Sequence, residues 1–206
     1  IMKKLKTKIV RKLIREWNDK KNLPFRLNRD FHRLLISHSK NPRPSSYPYI
    51  SGDTFRALAQ HIFDEVSAIN PEKIKDSDIV FVGTHFIQRF FKEIHPFIRA
   101  RYILITHNSD NHITSDLVKY IDDKIIHWYG QNVLITHPKI TPIPIGLENL
   151  YYYTNGNITT IKKEQGRKLI EKKNKILFGF SVSSNPSERQ PALDILTKTK
   201  ITEKIS

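Results

Sequence analysis

Three stretches of this chain, DIVFVG at 78–83, RYILITH at 101–107 and KIIHWYG at 124–130, are apolar almost without interruption. A strand that is apolar on both sides has to be covered on both sides, and this occurs where helices lie over each face of a parallel sheet. The intervening segments have helical spacing. TFRALAQHIFDEVSAIN (54–70) reads as an amphipathic helix with Asp53 as its N-cap, THFIQRFFKEIHPFI (84–98) as a second helix and SDLVKYID (115–122) as a third. NVLITH (132–137) and KITPIPIGL (139–147) are further apolar segments, whereas SKNPRPSSYPYISGD (39–53) is too rich in Pro for regular structure. The expected fold class is α/β, a Rossmann-like parallel sheet with flanking helices.

In an open parallel sheet, ligands bind beyond the carboxyl ends of the strands. Those ends carry Gly83-Thr84-His85, His107-Asn108-Ser109-Asp110, Trp128-Tyr129-Gly130-Gln131-Asn132 and Gly146-Leu147-Glu148-Asn149. Amide, imidazole and aromatic groups of this kind hydrogen-bond and stack on hydroxyl-rich ligands. His85, His107, Asn108, Gln131 and Asn132 are the expected substrate contacts, with Arg56 of the TFRAL segment as a further one. The plain alternative is that loops are polar because they face water.

Other chemistries find less support. There is no Cys, which removes thiolate metal sites, Cys nucleophiles and disulfides from this chain, and a cytoplasmic setting is expected. His107 and His112 flank Asp110 but would reach one ion only through a sharp turn, so no metal is expected. Neither GxGxxG nor GxxxxGK[ST] occurs.

The formal net charge is +15. Many of the cations fall in IMKKLKTKIVRKLIREWNDKKN (1–22), where Leu5, Ile9, Val10, Leu13, Ile14 and Trp17 recur at helical spacing. A basic amphipathic helix of this kind suits an anionic membrane surface, and it equally suits packing on its own domain. Peripheral attachment at the inner face of the membrane is the corresponding expectation. Tyr47, Tyr49, Trp128, Tyr129 and Tyr151 to Tyr153 could stack on bases in a nucleic-acid-binding protein. Against this, the strand-end loops are poor in Lys and Arg, so no nucleic acid is expected.

After residue 153 the character changes. TNGNITTIKKEQGRKLIEKKNK (154–175) reads as a linker or crossing helix, and KILFGFSVSSNPSERQPALDIL then begins a strand, a polar turn and a helix. Residues 23–153 form the expected first domain and 176–206 the start of a second, too short to close a core alone, so that its remainder is expected elsewhere. The IPIGLEN segment, the connector, the SVSSNPSERQPAL run and YPYISGDTFRALA together resemble glycosyltransferases of the two-domain GT-B kind, especially exostosin-like and α-1,3-fucosyltransferase-like enzymes of bacterial surface-polysaccharide synthesis. The resemblance implies an acceptor-side first domain and a donor-binding second one. It also implies that Ser184, Asn185 and Arg189 help to hold a nucleotide-sugar, which serves as donor substrate with no separate cofactor.

An inverting sugar transfer needs a base for the acceptor hydroxyl, and a glycan or lipid-linked saccharide is the expected acceptor. Asp110, in the densest polar loop, is the first candidate; Asp53 and Glu148 are the others. A noncatalytic carbohydrate-binding domain is the competing possibility.

Overall fold

The computed structural model describes residues 23–166 and 174–204. The chain divides into two compact units, one ending at Lys162 and one running from Lys163. The basic segment 1–22 and residues 167–173 of the expected linker lie outside the described residues.

The first described element of the first unit is helix α1 (Leu23–Ser37), which the sequence reading did not anticipate. His32 stacks on Tyr153 with ring centroids 3.9 Å apart, and Arg33 Nε donates to the Tyr152 carbonyl at 2.9 Å. Residues 39–50 of the Pro-rich stretch carry neither helix nor strand, and its last two residues open a short helix α2 (Gly52–Ala57). Strands β1 (His61–Phe63), β2 (Ile79–Gly83), β3 (Tyr102–His107), β4 (Ile125–Gly130) and β5 (Ile140–Pro142) then form one parallel sheet in the order β1-β2-β3-β4-β5. The expected α/β fold with a helix-flanked parallel sheet is therefore present.

Both faces of the central strands are buried. In register across the sheet, Val80, Leu104 and Trp128 enter the main core, with Val82 and Tyr102 beside them. The row one residue on, Phe81 and Ile105, is buried on the opposite face, as a period of two requires. Trp128 is fully buried, and its indole N–H donates to Thr106 Oγ1 at 2.9 Å, so that its one polar atom is satisfied. The segment from Thr84 to Phe97 is helical throughout, passing from 3₁₀ to α to π and back to 3₁₀, and it buries Ile87, Phe90 and Phe91 against this core.

Several local expectations are corrected. The helix expected over 54–70 stops at Ala57, and His61–Phe63 becomes an edge strand. Its backbone is claimed by β2: Gln60 N–H donates to the Ile79 carbonyl, and Asp64 closes a turn by accepting from the amides of Val66 and Ser67. The N-cap is Ser51, whose Oγ accepts from Thr54 N–H; Asp53 is the second residue of the helix. Residues 132–137 form no strand, only a single bridge from Val133 to Ile113. A parallel partner cannot follow β4 after so short a turn, because parallel pairing needs a long crossover. The segment expected as a third helix is one 3₁₀ stretch, Ser115–Tyr120.

Helix α3 (Ile158–Gln165) occupies the start of the expected linker. The second unit contains β6 (Ile176–Phe178), α4 (Pro186–Lys198) and β7 (Thr202–Lys204), with β6 and β7 parallel. The expected strand and helix are thus joined by a second strand, making a βαβ unit. Among the described residues no helix is long and apolar enough to cross a membrane.

Candidate functional site

The carboxyl ends of β3, β4 and β5 and the first turn of α2 meet around Asn108. This residue has φ 63°, a left-handed conformation that Asn tolerates better than most residues. Its backbone N–H donates to His107 Nδ1 at 2.8 Å and to Gln131 Oε1 at 3.2 Å. Its side-chain Nδ2 donates to Asp53 Oδ1 at 3.0 Å, and its Oδ1 accepts from Asn149 Nδ2 at 2.8 Å. Asn149 Oδ1 in turn accepts the Asp53 backbone N–H at 2.8 Å. One side chain therefore ties together loops from both ends of the unit.

Asp53 is fully buried beneath this network. Arg43 Nε lies 3.1 and 3.0 Å from its two oxygens, and Nη2 lies 2.8 Å from Oδ1. Arg43, which also reaches Glu65, comes from the Pro-rich stretch. Gly52 makes the approach of α2 possible: a Cβ there would stand 1.7 Å from Asn108 Oδ1 and 2.5 Å from His107 Nδ1.

His107 is buried, and burial lowers its pKa despite partners that favour the charged form. Nε2 stands 3.2 Å from the Pro144 carbonyl, to which it can only donate, and Nδ1 stands 2.8 Å from the Asn108 backbone N–H and 3.3 Å from Asn108 Oδ1. Both ring nitrogens are thus engaged within the protein. Among the described residues no group of three metal-type side chains converges.

Above this floor opens a cleft of about 270 Å³ whose lining includes Asn108, Ser109, Asp110, Gln131, Glu148 and Tyr152, with no Lys or Arg among the described residues. The candidate bases differ sharply in their surroundings. Asp110 is exposed at the rim, and its carboxylate has no protein partner among the described residues. Asp53 is enclosed and spends its oxygens on Arg43 and Asn108, so it belongs to the scaffold. Glu148 accepts from the backbone N–H groups of Thr154 at 2.9 Å, Asn155 at 2.6 Å and Gly156 at 3.3 Å. Partial burial raises the Glu148 pKa, but the amides of Asn155, Thr154 and Gly156 outweigh it and leave the group a weaker base than an ordinary carboxylate.

The remaining expected contacts separate. Gln131 is buried in the cleft wall, and Asn132, with φ 57°, donates from Nδ2 to the Ser109 carbonyl at 3.3 Å, holding the loop in shape. His85 lines a neighbouring cavity, its ring 4.1 Å from that of Phe86. Arg56 is not at the cleft: it is buried, with Nε 2.6 Å from Asp64 Oδ2 and Nη2 2.9 Å from Ser67 Oγ. In the second unit, Arg189 Nη1 donates to the Ser181 carbonyl at 2.9 Å and to Ser184 Oγ, and Asn185 Nδ2 donates to Glu188 Oε2 at 3.0 Å just ahead of α4.

Sequence reasoning missed Arg43, Gly52 and Tyr152 as parts of this site. Asn149 had a visible signal, since it falls in the last strand-end loop. Arg43 had none, lying in a stretch without periodicity.

Fold and site together define a Rossmann-like α/β unit with a polar cleft, lined by no Lys or Arg among the described residues, at the carboxyl edge of its sheet. Compared with protein-family models and with curated proteins, the chain matches none.

Proposed function

We propose that the first unit is the acceptor-binding part of a glycosyltransferase of the GT-B kind. It would move a sugar from a nucleotide-sugar to a glycan or lipid-linked saccharide in surface-polysaccharide synthesis, without a metal ion. The observation that carries this reading is the Asp110 carboxylate, without a protein partner among the described residues, at the rim of a cleft whose other polar groups are chiefly amides and an imidazole, with Glu148 held by backbone amides. Amides and hydroxyls match a polyol by hydrogen bonding, and a carboxylate not engaged by the described protein can take the proton of a bound hydroxyl.

In the proposed step, Asp110 accepts the proton of the acceptor hydroxyl as its oxygen bonds to the anomeric carbon. The bond from that carbon to the nucleoside diphosphate breaks, and the diphosphate leaves with the electron pair. Ser184, Asn185 and Arg189 are the proposed donor contacts. Arg189 spends Nη1 on Ser181 and Ser184, and its Nε and Nη2 donors, unengaged among the described residues, suit a diphosphate.

The test is a calorimetric and thermal-shift screen of the chain against UDP-, GDP-, CMP- and TDP-sugars, followed by assay of nucleotide release with glycan acceptors. Binding of one nucleotide-sugar and acceptor-dependent release of its nucleotide is expected. Glycan binding with no nucleotide-sugar bound and no release would assign the cleft to a noncatalytic carbohydrate-binding protein instead.

A further inference from the structure

A second cavity, of about 530 Å³, lies beside the first, between the carboxyl ends of β2 and β3. Thr84, His85 and Gln88 line it from the β2 side, and Asn111, His112 and Asp116 from the β3 side. Asp110 lines both cavities. The two are adjacent for a structural reason. Gly83 pairs with His107 in the sheet, and buried Thr84 donates from Oγ1 to the His107 carbonyl at 3.2 Å, so that the loop after β2 is fastened to the loop after β3.

The second cavity is built from unspent hydrogen-bonding groups. Gln88, Asn111 and His112 are exposed, and their side chains have no protein hydrogen-bond partner among the described residues. Among the described residues there is no Lys or Arg in the lining, while Asp110 and Asp116 are both carboxylates, the latter accepting from Thr114 Oγ1. A phosphate, a uronic acid or another anion would meet like charge and no compensating cation there. Neutral hydroxyls, N-acetyl groups and amines would not.

We propose that the two cavities are consecutive subsites for one saccharide chain, so that the acceptor has at least two sugar residues and the sugar in the second cavity is uncharged or carries an amine. This rests on the glycosyl-transfer reading and adds the length and charge of the acceptor to it. Asp110, on the wall common to both, places the reacting hydroxyl at their junction.

The test is binding of the chain to an array of neutral, amino and uronic-acid glycans, from single sugars to hexasaccharides, with the hits titrated calorimetrically. Disaccharides and longer neutral or amino chains should bind at least about tenfold more tightly than the corresponding single sugars. The double variant Gln88→Ala/His112→Ala, altered only at exposed side chains, should remove about that factor for the longer chains and leave single sugars unaffected. If single sugars bind as tightly as longer chains, or the double variant changes nothing, the second subsite is refuted while acceptor-dependent nucleotide release still supports transfer. Binding confined to uronic-acid glycans overturns the charge assignment. If no glycan of any length binds, the subsite and the acceptor role of the cleft fall together.

Discussion

Asp53 and Arg43 form a forked, buried ion pair: three nitrogen–oxygen distances of 2.8 to 3.1 Å join a fully buried carboxylate to a guanidinium that is itself buried. Removing one partner leaves the other charged and unpaired in a buried site. Asp53→Ala is expected to destabilise the chain by ~3–5 kcal/mol. Urea unfolding monitored by circular dichroism measures this. A loss below ~1 kcal/mol would mean that water reaches the pair.

Gly52→Ala tests the close contact over which the site is built. The added methyl would collide with Asn108 Oδ1 and His107 Nδ1, and moving either breaks the link from Asn108 to Asp53 or Asn149. A stability loss of ~1–3 kcal/mol is expected from such overpacking. Glycan affinity should fall with it, because the cleft floor is what moves. Unchanged binding in a destabilised variant would separate the floor from the ligand.

Asp110→Asn keeps the size of the side chain and removes its basicity. Since Asp110 bonds to nothing else in the described structure, the melting temperature and nucleotide-sugar affinity should stay within error of the parent while transfer falls ~10²- to 10⁴-fold. Turnover near the parent rate would remove Asp110 from the role of base. Neither Asp53, enclosed with Arg43, nor Glu148, held by three backbone amides, is placed to take it over.

The pH dependence of stability should have two limbs. Burial holds the pKa of His95 and His107 below the ordinary 6.5, against the opposing pull of Asp122 on the first and of Pro144 and Asn108 on the second. The unfolded chain therefore binds protons that the folded one refuses. Their contribution is whole above pH 6.5 and is lost as the pH falls through the lowered values. The carboxylates of Asp64 and Glu148 also have lowered pKa values: burial opposes this, but Arg56 with the Val66 and Ser67 amides, and the loop 154–156 amides, prevail. Their contribution is whole above the ordinary values of 3.8 and 4.5 and disappears at more acid pH. The melting temperature should begin to fall below about pH 6.5 and fall more steeply below about pH 4.5. A flat profile from about pH 7.5 to 5 would show that the two imidazoles are not held neutral by the fold.

The parallel sheet was legible in the chain because its cause is local. DIVFVG, RYILITH and KIIHWYG each show in a few residues that both faces must be covered, and each polar loop after them falls at one edge of the sheet. Where the local signal was ambiguous, tertiary pairing decided: His61–Phe63 had the spacing of a helix and became a strand because β2 offered its edge. The chemistry of the candidate site was less legible still. Asp53, Asp110 and Glu148 are all carboxylates in the sequence, and only their contacts in the fold tell them apart. Asp53 meets Asn108 and Asn149 from 55 and 96 residues away, Glu148 is wrapped by the loop that follows it, and Asp110 has no partner among the described residues. Arg56 and Arg43 show the same limit: the expected ligand contact is locked onto Asp64, and a cation from an irregular stretch lies beneath the cleft. Sequence determines which groups reach the edge of a sheet through periodicity of side-chain direction. Accessibility and pairing, which decide whether a carboxylate is a scaffold or a base, arise only when distant segments are brought together.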